Sequence, residues 1–93
     1  MQQPNQLPKI DLTTFFLSIS SAAFMGLGLL PVEEAGEPPR VDLELARQNI
    51  DLLELMQEKT KGNRNSEEDR LIEQLLFETR MRFVEIQRKS GQK

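Results

Sequence analysis

No charged side chain occurs between Asp11 and Glu33, whereas charges are frequent from there to the end of the chain. The uncharged stretch predicts a first helix over about 12–29. Asp11 is its N-cap, and Pro31, with the residue it restricts, Leu30, is its stop. At 1.5 Å per residue such a helix spans roughly 27 Å. Ser18, Ala22 and Gly26 recur at every fourth position and form one line of small residues. Phe16, Ile19, Ala23 and Leu27 occupy the opposite side, and Phe15 and Phe24 widen the apolar surface. A small-residue line lets two helix backbones approach closely.

A second helix is predicted over about 43–61, capped by Asp42. Leu43, Ala46, Ile50 and Leu53 follow helical spacing, with Leu45, Leu52 and Met56 as a second seam that Asn49 interrupts. Glu44, Arg47, Gln48, Asp51, Glu54 and Glu58 make the polar face, and Gly62 is the expected C′ residue. A third helix is predicted over about 67–89, capped by Ser66, with Glu67, Glu68 and Asp69 in its first turn, where the helix dipole favours carboxylates. Its inner face is Ile72, Leu75, Leu76, Thr79, Phe83 and Ile86, extended by Phe77, Met81 and Val84. Glu78–Arg82 and Glu85–Lys89 are spaced as outer i,i+4 pairs. The short connection at Gly62–Asn65 folds the second and third helices into an antiparallel hairpin.

The fold class expected is therefore all-α: an apolar helix plus a helical hairpin, in one domain over residues 11–90. Residues 1–10, with two prolines, read as a disordered lead-in. Residues 31–41, with three prolines and three glutamates, read as a linker, and residues 91–93 as a frayed tail. Lys9 is the only cation before the apolar stretch, too few for the basic start of a secretory signal, although Ser20-Ser21-Ala22 loosely fits a cleavage site.

Composition narrows the chemistry. The 93 residues include no Cys and no His, which removes disulfides, thiolate nucleophiles, the usual general base near neutral pH and the commonest transition-metal ligand. An enzyme is not expected, nor a cofactor or metal. A net charge of −3 argues against a nucleic-acid partner. Charge is unevenly spread: residues 41–69 hold four cations against eight carboxylates, and residues 70–93 hold six against three. That asymmetry favours packing of the two segments within or between chains.

Three sets of side chains are candidates for chemistry. Glu44, Asp51, Glu54 and Glu58 could hold a divalent cation, but they follow one helix face interrupted by Arg47, which suits a solvated face better. Ser18, Ser20 and Ser21 lack a basic partner and suit hydroxyls bonded back to helix carbonyls. Arg64, Arg70, Arg80, Arg82, Arg88, Lys89 and Lys93 could meet phosphates, yet Phe77 and Phe83, the aromatics that would stack on bases, fall on apolar faces.

Four runs resemble a family of small bacterial proteins classed only as a domain of unknown function, number eighteen-forty-four. They are Thr14–Ser18 leading to Leu27-Gly28, Asp42–Ala46 leading to Ile50-Asp51, Glu58-Lys59-Thr60-Lys61-Gly62-Asn63, and Leu75–Val84. The resemblance covers about residues 10–86, and the Glu-Lys-Thr-Lys-Gly-Asn turn is its most specific part. It implies a helical bacterial protein and no activity. Where the family carries His near the end of the first helix and Tyr near Phe77 and Phe83, this chain has Gly26 or its neighbours and two phenylalanines.

The expected function is that of a small helical interaction protein in the cytoplasm, a homo-oligomer with the dimer favoured, which also binds another protein. Its interface candidates are Phe15, Ser18, Ile19, Ala22, Gly26, Ile50, Leu53, Leu76 and Phe83. The alternative is an inner-membrane-associated protein with residues 12–30 in the bilayer. Thr13, Thr14, Ser18, Ser20 and Ser21 lower that segment's hydrophobicity, and no basic cluster anchors either end.

Overall fold

The computed structural model describes residues 10–29 and 40–91, which form three helices and no strand: α1 Leu12–Gly26, α2 Leu43–Lys59 and α3 Ser66–Gly91. The all-α architecture and the α2–α3 hairpin agree with the sequence pattern. Almost all of the expected lead-in and of the linker lie outside the described residues.

Both aspartate caps are present. The Asp11 carboxylate accepts from the Thr14 amide at 2.9 Å, and the Asp42 carboxylate accepts from the Leu45 amide at 3.1 Å. The end of α1 differs from expectation: the helix stops at Gly26, before Pro31 can act. Gly28 takes φ +73°, its amide donates to the Met25 carbonyl, and the Leu29 amide donates to the Phe24 carbonyl, both at 3.0 Å. These are the two bonds of a Schellman motif, and a glycine in the left-handed region is what permits them.

α2 ends at Lys59, two residues early. Thr60 leaves the helix with its amide and its Oγ1 both donating to the Met56 carbonyl. Asn63 then closes a turn onto the Thr60 carbonyl at 2.8 Å, with Gly62 at φ +84° in the third turn position.

The start of α3 is also corrected. Its cap is Asn65, not Ser66. Asn65 Oδ1 accepts from the Glu68 amide and Glu68 Oε1 accepts from the Asn65 amide, each at 2.8 Å. This reciprocal capping box leaves Asp69 free for another partner.

The three helices pack pairwise, α1 on α2 being the most extensive contact. Phe16, Ile19 and Ala23 from α1, Ile50 and Leu53 from α2, and Ile72, Leu75 and Leu76 from α3 share one core. Burying each such large side chain contributes about 1.5–3 kcal/mol relative to leaving it exposed. The small-residue line does not act as a unit. Gly26 alone makes the close approach: a Cβ there would lie 2.7 Å from the Ala46 amide nitrogen, and the Gly26 carbonyl accepts from the Asp42 amide at 2.7 Å. Ala22 is half-buried and Ser18 is exposed.

Candidate interaction surface

The nine sequence-derived interface candidates fall into two groups. Ile19, Gly26, Ile50, Leu53 and Leu76 are buried by the chain's own helices. Phe15 and Ser18 are exposed, and Ala22 and Phe83 are half-buried. The helical hairpin therefore covers one side of α1 within a single chain and leaves Phe15, Leu17, Ser18, Ser21 and Met25 facing out. No side chain of α1 is charged, so this outward surface offers hydroxyls and apolar groups only.

Polar side chains inside the fold are satisfied locally. Ser20 Oγ donates to the Leu17 carbonyl at 3.1 Å, and Thr79 Oγ1 donates to the Leu75 carbonyl at 2.8 Å. The amide of buried Asn49 donates to the Leu45 carbonyl at 2.9 Å. Each hydroxyl or amide thus answers a carbonyl of its own helix, as inward-facing polar groups in helices do.

Arg64 has a role that sequence inspection missed. Its Nε donates to Asp69 at 2.7 Å, while Nη1 donates to the Gln57 carbonyl at 2.6 Å and to Thr60 Oγ1 at 3.1 Å. One guanidinium therefore caps the carbonyl end of α2 and binds the acidic first turn of α3. Its side chain is only 13 % exposed, so it is not held out toward solvent for phosphates. The favourable charge at each helix end is the signal that marks such a position.

The remaining ion pairs differ from the spacing-based expectation. Arg82 pairs with Glu85 at 3.1 Å, one turn toward the C-terminus, instead of Glu78. Arg80 reaches across the hairpin to Glu54 at 2.6 Å, which takes Glu54 out of the acidic stripe on α2. Among the described residues no three His, Cys, Asp or Glu side chains gather in a metal-binding arrangement.

On α3 the expected extension of the inner face is corrected. Ile72, Leu75, Leu76 and Thr79 are buried, but Phe77 is 64 % exposed, Met81 40 % and Val84 45 %. At 100° per residue Phe77, Met81 and Val84 lie about 120–180° around the helix from Ile72. They form a second apolar face, directed away from the core. The angular offset could be read from the sequence, but without knowing which face packs inward it does not tell inside from outside. On α2, Leu45 and Leu52 are likewise 37 % and 40 % exposed.

Among the described residues no helix is long and apolar enough to cross a membrane. The 15 residues of α1 rise about 22 Å, against a hydrocarbon thickness of about 30 Å. Of the alternative that places residues 12–30 in the bilayer, a membrane-crossing helix is therefore excluded: the Schellman turn at Gly28 cuts α1 short.

No curated protein and no solved structure matches the chain. A family model described as a domain of unknown function, DUF1844, matches residues 9–85. That match takes in all of α1 and α2, the Arg64 turn and most of α3, and the chain belongs to the DUF1844 family.

Proposed function

We propose that this chain is a small non-enzymatic helical interaction protein of the cytoplasm, which assembles with copies of itself, the dimer being the favoured form, and binds another protein. The observation that carries the reading is the apolar surface left outside after one chain has closed its core. Phe15, Met25, Leu45, Leu52 and Phe77 are each between 37 % and 64 % exposed. Contiguous exposed apolar patches mark protein-binding surfaces, and Phe77, Met81 and Val84, exposed neighbours on one side of α3, are such a patch. A chain without His or Cys lacks the commonest means of acid–base and nucleophilic catalysis, which supports a binding role over a reaction. The uncharged outward side of α1 suits an apolar protein partner, because a phosphate-bearing ligand finds no cation on it.

Light scattering on the purified chain over a concentration series tests the proposal, first in plain buffer and then with detergent or lipid vesicles. A discrete dimer in plain buffer is expected. A monomer at every concentration would sink the self-association, and aggregate that becomes discrete only in detergent would assign the apolar surface to lipid.

A further inference from the structure

We propose that two copies of the chain pair through the outward face of α3, antiparallel about a two-fold axis beside Met81. The proposal rests on the self-association reading above and adds the seam and its direction. Five residues carry it: Glu73, Phe77, Met81, Val84 and Arg88. At 100° per residue they fall within a sector of about 80°, on the side of α3 away from its buried residues. Glu73 and Arg88 are exposed, and neither has an ion-pair or hydrogen-bond partner among the described residues. A stripe with an apolar middle is thus left open, with Glu73, beside exposed and likewise unpaired Arg70 one turn earlier, at one end and Arg88 at the other.

The order of those residues is self-complementary. When a second α3 runs antiparallel, Phe77 of each copy lies against Val84 of the other, and the two Met81 side chains meet near the axis. Glu73 of each copy then lies against Arg88 of the other. A two-fold contact must use one patch twice, residue i meeting j while j meets i, and this stripe meets that condition without alteration. Parallel pairing does not, because Glu73 would face Glu73 and Arg88 would face Arg88. The stripe is about 22 Å long, well within the roughly 39 Å of a 26-residue helix. Arg80, which flanks the axis, is already paired with Glu54 of its own chain, so it brings no unbalanced charge to the seam.

Charge reversal tests the seam without disturbing the core. Glu73→Arg and Arg88→Glu each replace two attractive contacts per dimer by two repulsive ones. The dissociation constant of either variant, measured by sedimentation equilibrium, is expected to rise about tenfold or more. An equimolar mixture of the two variants, and the double variant by itself, are expected to recover wild-type association, since both restore opposite charges across the seam. Phe77→Ser is expected to dissociate the dimer while leaving the helical circular-dichroism signal unchanged. A wild-type dimer indifferent to all of these would overturn the α3 seam and leave self-association standing. A dimer lost in Phe77→Ser but blind to both charge reversals would overturn the antiparallel register. A wild-type chain that stays monomeric would overturn the seam together with the reading beneath it.

Discussion

The turn between α2 and α3 and the outward face of α3 are neighbouring parts of one hairpin, and they are built to opposite rules. At the turn, Arg64 answers the Gln57 carbonyl, Thr60 and Asp69, while Asn65 and Glu68 satisfy each other's amides. Beyond the first turns of α3 the outer side changes character. Phe77, Met81 and Val84 are exposed, with Glu73 and Arg88 at the two ends unpaired among the described residues. One region is complete within the chain; the other has its groups in order but no counterpart among the described residues. The difference separates positions that hold the fold from positions that are free to hold something else.

Substitutions sharpen that contrast, beginning with the inner core. Phe16 is fully buried, and Phe16→Ala should cost about 3–5 kcal/mol through lost burial and the cavity left behind. In thermal denaturation that would lower Tm by tens of degrees or abolish folding, and an unchanged Tm would show that α1 is not bound as described.

Arg64→Met should cost about 1–3 kcal/mol, because the Gln57 carbonyl and Asp69 lose their shared donor. Arg64→Lys should recover only part of it, since one ammonium lacks the fork that reaches both sides of the turn. Equal urea midpoints for the wild type and both variants would remove Arg64 as the clasp of the hairpin.

A change of about 1–2 kcal/mol is expected for Gly28→Ala, where any Cβ must accept the left-handed conformation that ends α1. Hydrogen exchange at the Gly28 and Leu29 amides would report it, as both donate within the Schellman turn. Protection unaltered by the substitution would contradict the cap.

The smallest effect on folding belongs to the open face. Met81→Ser should change the stability of the isolated chain by less than about 0.5 kcal/mol, as exposed substitutions generally do. A much larger loss in dilute solution would mean that Met81 supports the fold itself, and the contrast between the two regions would fail there.

Much of this architecture is legible in the sequence because its causes are local. Asp11 and Asp42 cap helices by reaching amides three residues on, and the apolar rows of α2 and α3 follow from 3.6-residue periodicity. The misplaced helix ends are local too. Gly28 and Leu29 end α1 by donating to the Met25 and Phe24 carbonyls, and Asn65 with Glu68 forms a capping box one residue earlier than Ser66 would. In both places two adequate signals stood side by side, and hydrogen-bond geometry chose the nearer glycine and the earlier cap.

The sequence by itself determined three helices, the apolar rows along them and two of their caps. Only the tertiary structure decided that Gly26 is the point where α1 meets Ala46 of α2, and that Arg80 crosses to Glu54. It also decided which of the two apolar faces of α3 is inside. Periodicity sets the angle between side chains on one helix but contains no information about where the next helix lies. Ile72 and Phe77 are both apolar and both helical, and only the presence of α1 and α2 on one side makes the first a core residue and leaves the second exposed.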